Sequence, residues 1–232
     1  MLDFLKNNYI LIILLSVSTV LCFLWLFLFN KEKLQAKTWE LILVAFLHTL
    51  LGVAFVKFFA IMESGFAQKQ NGAMSLYGGI FFMPIFYIVY ALVKKLPIGL
   101  VFDTFVVCLV ATLTLARVNC LFMGCCLGKF IDSDYTVRFP TREIEIVVNG
   151  LFVCLAVFLI LKGKFNNYLY PAYMVYYGVF RFILEFFRES NATDSPFHIA
   201  HVWSMIAVLL GIIFALIQLV KDKKDNLAVK KK

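Results

Sequence analysis

Charged side chains are scarce in this chain of 232 residues: Asp, Glu, Lys and Arg together make up 16% of it. Apolar residues make up 62% and come in long blocks, which excludes an ordinary soluble domain. Internal repeats, low-complexity segments and a nucleotide-binding glycine loop are also missing from the sequence. The composition therefore predicts an all-α integral membrane protein with one membrane domain over residues 1–232, and no cofactor is expected.

Acidic residues are the scarcer charge, with 14 Asp and Glu against 22 Lys and Arg, and the formal net charge is +8. A basic chain binds nucleic acid when its Lys and Arg are interleaved with aromatic residues on a soluble surface. Here they lie in short segments between apolar blocks and in the C-terminal tail. The positive charge is therefore attributed to membrane topology, and no nucleic-acid partner is expected.

Seven apolar runs are each close to the 20 residues that a helix needs to cross a bilayer. They are residues 9–29, 38–62, 74–93, 98–116, 143–161, 168–187 and 199–220. If the N-terminus is outside, the cytoplasmic segments hold 13 Lys and the outer segments 6 Lys or Arg. This imbalance predicts an external N-terminus and a cytoplasmic C-terminus.

Polar residues from separate helices are expected at one outer level of this membrane domain, where such groups are costly and usually functional. They are Arg117 and Asn119 after the fourth run, Glu145 early in the fifth, and Arg181, Glu185 and Arg188 on one face of the sixth. Arg117 and Arg181 suit a phospholipid phosphate, because guanidinium stays charged and gives forked hydrogen bonds. An internal salt bridge with interfacial snorkelling is the alternative for the group in the sixth helix.

Two other features are open to a structural or a functional interpretation. Gly78 and Gly79, at the start of the third helix, suit the close approach of a lipid or of another backbone, or plain helix packing. Asp103 lies on the opposite side of the membrane from the outer polar groups and is expected to pair with Lys57 or His48.

Cysteines are the other notable feature, since three of the six follow Arg117 closely: Cys120, Cys125 and Cys126. The others, Cys22, Cys108 and Cys154, lie inside apolar blocks, where a cysteine packs as a small hydrophobe. The three near Arg117 are open to packing, to a disulfide or redox pair, or to a thiolate nucleophile activated by arginine. A metal site is the weakest option and is not predicted, because the spacing is not a paired CxxC and no nearby His completes it.

Four stretches together resemble the bacterial prolipoprotein diacylglyceryl transferases: residues 71–80, 117–128, 139–145 and 177–188. They correspond to that family's His-Gly-Gly turn, its Arg-x-Gly-Asn stretch, its His-Pro-x-Gln stretch and its Arg-Phe-x-x-Glu-Phe-x-Arg helix. The resemblance, over about residues 44–215, implies seven transmembrane helices in the bacterial inner membrane. It also implies transfer of diacylglycerol from phosphatidylglycerol to a cysteine thiol of a secreted preprotein, with release of glycerol phosphate.

The resemblance also implies roles for individual residues. Arg117 and Arg181 would hold the phosphate head group, Glu185 would support Arg181, and Tyr77 would stand at the catalytic position of the His-Gly-Gly motif. The residues implied to bind substrate are Gly78, Gly79, Asn119, Gly124, Gly128, Glu145 and Arg188.

Five positions depart from the family pattern. Tyr77 and Phe139 stand where the family has histidine, Cys120 where it has asparagine, Cys125 where glutamate is usual, and Arg142 where it has glutamine. Tyrosine, with an ordinary pKa near 10, is a poor base at neutral pH, so Tyr77 is either a proton carrier or a space-filling replacement.

These departures leave alternatives to the transferase open. His201, at the start of the seventh helix, is interpreted as a packing or interfacial residue, although it could supply an imidazole. One alternative is a relative whose acyl or lipid transfer has moved to a cysteine. The other is a non-catalytic lipid-binding membrane protein that kept the fold.

Overall fold

Seven α-helices follow one another in the computed structural model, which describes residues 2–64, 75–132, 134, 136–189 and 198–230. They are α1 (Leu2–Phe29), α2 (Thr38–Glu63), α3 (Tyr77–Lys94), α4 (Ile98–Met123), α5 (Thr141–Leu161), α6 (Leu169–Glu185) and α7 (Ile199–Lys230). All except α6 contain a stretch that is long and apolar enough to cross a membrane. The predicted all-helical membrane fold with seven helices is confirmed at this level, and α6, with 17 residues, is the shortest helix.

Helix α4 lies at the centre of the bundle, packed against α1, α3 and α5 and reaching α2 and α6, while α7 packs mainly on α6. The interior is rich in tyrosine: Tyr87, Tyr170, Tyr173 and Tyr177 are fully buried. Their hydroxyl groups find partners inside the bundle, as when Tyr170 donates to the Ile80 carbonyl at 2.6 Å. A buried tyrosine adds apolar area and a polar tip, so this core can hold other polar groups at its outer end.

Helix α4 is longer than the sequence pattern predicts, and it ends at Met123 instead of near Ala116. The helix stops at Gly124, whose φ of +64° lies in the left-handed region that ends many helices. The Cys125 N–H then bonds back to the Cys120 carbonyl at 3.3 Å. Arg117 and Cys120 therefore belong to the last turns of a helix and not to a loop.

The predicted pairing of Asp103 with Lys57 or His48 is wrong. The Asp103 carboxylate accepts hydrogen bonds from the backbone N–H of Asn167 and, at 3.0 Å, from that of Leu169. These groups lie at the start of α6, where backbone N–H groups have no partner within the helix. A carboxylate there also interacts favourably with the helix dipole, so Asp103 fixes α6 to α4.

Gly78 allows α3 to cross α2 closely, because a β-carbon at this position would lie 2.2 Å from the carbonyl oxygen of Phe55. We expect Gly78→Ala to destabilise the protein by about 3 kcal/mol or more, since two helix backbones would have to separate. Thermal unfolding of the detergent-purified protein measures this. Gly150→Ala is the matched control: its β-carbon would meet no atom within 4 Å, so the melting temperature should hold or rise. Equal melting temperatures for both variants would contradict the close crossing.

Candidate functional site

A cavity of about 330 Å³ opens where the ends of α2, α3, α4, α6 and α7 meet. The described residues that line it include three arginines, Arg117, Arg181 and Arg188, and two glutamates, Glu63 and Glu185. Four of the six polar residues predicted to converge therefore face one space: Arg117 from α4, Arg181 and Glu185 from α6, and Arg188 from the turn after α6. Because charged side chains are rare in a membrane bundle, this cavity is the candidate site.

Arg117 is buried and bound on one side by a carboxylate. Its Nε atom lies 2.9 Å from Oε1 of Glu145, which is also buried and which accepts a hydrogen bond from the Tyr177 hydroxyl at 3.0 Å. On the other side, Nη1 of Arg117 lies 3.5 Å from Sγ of Cys126. Glu145 thus orients the guanidinium between the cavity and the cysteine loop, and it does so from a third helix, α5.

Arg181 forms the second buried ion pair, with Nη1 2.5 Å from Oε2 of Glu185. The same Glu185 oxygen is 3.9 Å from Nη1 of Arg188, and the other oxygen is 3.9 Å from Nδ1 of His198. The internal salt bridge considered for this group is therefore present. Its members also line the cavity, so the ion pair and a role towards an anion are compatible.

Tyr77 lines the cavity as the first residue of α3, and its hydroxyl is bound to α7. The hydroxyl oxygen is 2.6 Å from Oγ of Ser204 and donates to the carbonyl of Ala200 at 3.1 Å. The ring packs edge-on against Tyr177, with centroids 5.9 Å apart. These contacts connect α3, α6 and α7 beside the cavity, whose lining includes Tyr77, Tyr177 and Ala200.

The family model for prolipoprotein diacylglyceryl transferase matches residues 6–217. The chain belongs to the prolipoprotein diacylglyceryl transferase family. The resemblance drawn from the four sequence stretches is therefore confirmed, and the chain is a member of a family of transferases.

Relatives in this family have low sequence identity to the chain. A phosphatidylglycerol--prolipoprotein diacylglyceryl transferase of Dehalococcoides mccartyi (strain BAV1) is 20% identical over 235 aligned positions, 92% of this chain and 90% of that protein. Enzymes of the same name from Mannheimia succiniciproducens and Geobacter sulfurreducens are 25% and 24% identical. Those matches cover 62% and 70% of this chain, and only 59% and 65% of the two relatives' own length.

The glycines expected to bind substrate in this family member occupy packing or turn positions. Gly78 lies against α2, and a β-carbon on Gly79 would be 3.2 Å from the Leu113 side chain. A β-carbon on Gly128 would be 2.1 Å from the Phe139 carbonyl oxygen, and Gly124 ends α4. Like the buried Asn119 and Glu145, these glycines are outside the described lining of the cavity.

The cysteines form a separate cluster next to the cavity, on the far side of Arg117. Cys120, Cys125 and Cys126 are all free thiols, and their sulfur atoms lie within 4.8 Å of one another. A hydrogen bond from the Cys120 thiol and the positive charge of Arg117 lower the pKa of Cys126. Burial raises the pKa of Cys125. Neither thiol lies among the described residues that line the cavity.

Several residues of the site carry no clear sequence signal. Tyr177 and Ser204 lie in apolar runs, where they resemble ordinary core residues, and Glu63 ends α2 as an apparent surface charge. His198 is the imidazole near Glu185, just before α7. The packing interpretation of His201 is confirmed, because it is buried, with its ring centroid 5.0 Å from that of Phe182 and 4.5 Å from that of Phe186.

Proposed function

We propose that this chain moves the diacylglyceryl group of phosphatidylglycerol to the cysteine thiol of a prolipoprotein. The observation that carries the proposal is that Arg117, at the end of α4, and Arg181 and Arg188, at and just after the end of α6, line one cavity of the helix bundle. An anionic phosphodiester bound there would contact fixed guanidinium groups, each of which can donate two parallel hydrogen bonds to phosphate oxygens. Family membership and the names of the relatives support the same donor and acceptor.

The proposed reaction depends mainly on fixed positive charge at the leaving phosphate. The acceptor sulfur forms a bond to the terminal glyceryl carbon, and the bond from that carbon to the phosphate oxygen breaks. Glycerol phosphate leaves with the electron pair, and the thiol proton passes to a base or to water. Arg117 and Arg181 stabilise the negative charge that develops on the departing phosphate. Charges that are already in position when the reaction occurs are effective at this.

Glu145 and Glu185 then act as positioning residues in this proposal. Glu145 is buried behind Arg117 and leaves the cavity face of that guanidinium free for an anion. Glu185 lies between Arg181 and Arg188 and balances their positive charge while the site is empty. A bound phosphate would compete with Glu185 for the two guanidinium groups.

Tyr77 has a positioning role in this proposal, because its hydroxyl already interacts with Ala200 and Ser204. We expect Tyr77→Phe to keep transferase activity within about 10-fold of wild type and to cost about 1 kcal/mol of stability, the value of one hydrogen bond. Ser204→Ala, which removes the partner, should behave alike. Initial rates and thermal unfolding measure both variants. A loss of more than about 100-fold in Tyr77→Phe, with the fold intact, would assign proton transfer to this hydroxyl instead.

The proposal includes one membrane domain in the bacterial inner membrane, with the N-terminus and the cavity outside and the C-terminus in the cytoplasm. The distribution of Lys and Arg supports this orientation. The test introduces single cysteines at Lys129 and at Lys224 in a chain whose native cysteines are replaced. In intact cells, we expect a membrane-impermeant maleimide to label the cysteine at position 129 but not the one at position 224. Labelling at Lys224 but not at Lys129 would reverse the orientation.

The direct test of function uses purified protein in phosphatidylglycerol vesicles with a peptide that carries a lipoprotein-type cysteine. We expect the peptide to gain the mass of one diacylglyceryl group and glycerol phosphate to appear in equal amount. Phosphatidylethanolamine vesicles and a peptide with serine for cysteine serve as controls. Retention of phosphatidylglycerol without any product would instead support the lipid-binding alternative.

A further inference from the structure

Three thiols meet beside the cavity: the sulfur atoms of Cys120, Cys125 and Cys126 lie within 4.8 Å of one another. In a tetrahedral zinc–thiolate site with bonds of about 2.3 Å, neighbouring sulfurs are about 3.8 Å apart. Small side-chain rotations would therefore bring the three sulfurs to one ion. We propose that these cysteines bind a thiophilic metal ion, Zn²⁺ or Cu⁺, through three sulfur ligands.

From the sequence, a metal site is the weakest option for these cysteines, because their spacing is not a paired CxxC. The backbone conformation nevertheless brings the three side chains together. Helix α4 carries Cys120 in its last turn, and Gly124 (φ +64°) then reverses the chain. Cys126 also has a positive φ, of +59°, a conformation that residues with a β-carbon adopt reluctantly. This turn brings Cys125 and Cys126 back over Cys120.

The backbone of all three cysteines is held by the start of α5. Thr141 donates from Oγ1 to the Cys126 carbonyl at 3.0 Å. Nη1 of Arg142 donates to the carbonyls of Cys120 and Cys125 at 3.4 and 3.5 Å. Such outer contacts orient ligands before an ion binds, and their loss commonly weakens metal affinity by about 10- to 100-fold.

The charge next to the cluster also suits a thiolate complex. Three thiolates around Zn²⁺ or Cu⁺ leave a net negative charge, and Arg117 Nη1 already lies 3.5 Å from Cys126 Sγ. Binding exchanges thiol protons for the metal and needs no oxidant. A disulfide, by contrast, would join two of the three sulfurs and leave the third unused, so the threefold cluster favours a metal.

The test uses reduced, metal-stripped protein in detergent. Zn²⁺ is titrated against a chromophoric chelator, Cu⁺ is titrated without oxygen against a Cu⁺ chelator, and Co²⁺ reports sulfur ligands through its charge-transfer absorption. We expect one ion per chain, and the two titrations decide which ion is preferred. Each of Cys120→Ser, Cys125→Ser and Cys126→Ser should weaken binding by at least about 100-fold. Arg142→Gln should weaken it about 10-fold.

The control is Cys154→Ser. Cys154 is exposed on α5 and lies outside the cluster, so this substitution should leave the metal affinity unchanged. Zinc protection of the wild-type cysteines from alkylation, read peptide by peptide, gives the same information without any substitution. Protection of the three clustered cysteines but not of Cys154 supports the site. Three results would each overturn the proposal. The first is binding of less than one ion per chain, and the second is equal alkylation with and without metal. The third is a native disulfide among the three cysteines, together with no metal binding once it is reduced. Neither readout depends on transferase activity.

Discussion

Replacing Arg181 by alanine is expected to lower the rate of diacylglyceryl transfer by at least about 100-fold. The side chain lines the cavity and supplies one of the positive charges that stabilise a departing phosphate, and losing one such group commonly costs about 10²- to 10³-fold. Arg181→Lys keeps the charge but loses the forked hydrogen bonds, so it should recover only part of the activity. Rates at saturating phosphatidylglycerol, measured in vesicles, separate this loss from weaker lipid binding.

The matched control for this variant is Arg138→Ala. Arg138 packs over the Phe130 ring and pairs with Glu189, away from the described lining of the cavity. We expect its removal to leave the rate near that of wild type, because a charge outside the cavity does not contact the phosphate. If the two alanine variants lose activity equally while both stay folded, Arg181 has no special role towards the phosphate.

The helices and the polar residues of the site could be predicted from the sequence because the membrane makes both conspicuous. Long apolar runs reveal the spans, and Arg117 or Arg181 stands out inside them as a group that must find a partner. The identity of that partner is harder to predict. Glu185 lies one turn from Arg181 on the same helix and was predictable, whereas Glu145 reaches Arg117 from another helix.

The sequence-based predictions are wrong where the structure depends on backbone conformation and backbone hydrogen bonds. The apolar pattern fades near Ala116, but helical hydrogen bonds continue to Met123, because nothing before Gly124 favours the left-handed region. Asp103 binds backbone N–H groups, which leave no trace in a side-chain pattern. The convergence of the three sulfurs likewise depends on the positive φ of Cys126, an angle that residue type does not predict.

Replacing Glu145 by alanine is expected to destabilise the protein by about 3–5 kcal/mol, because it leaves the buried Arg117 charge without its partner. Thermal unfolding in detergent measures this loss. The double variant Arg117→Met with Glu145→Met removes both charges together. Since two apolar side chains of similar size often replace a buried ion pair without loss, we expect it to recover most of the stability.

Activity should not recover with stability in that double variant. Arg117 is both one half of a buried ion pair and one of the charges facing the cavity. Replacing Glu145 as well makes the ion pair unnecessary for the fold, but nothing replaces the charge that faced the cavity. We therefore expect a well-folded protein whose transfer rate is at least about 100-fold below wild type. A stable double variant with normal turnover would show that Arg117 serves the fold alone, and the phosphate would then have to be held by Arg181 and Arg188.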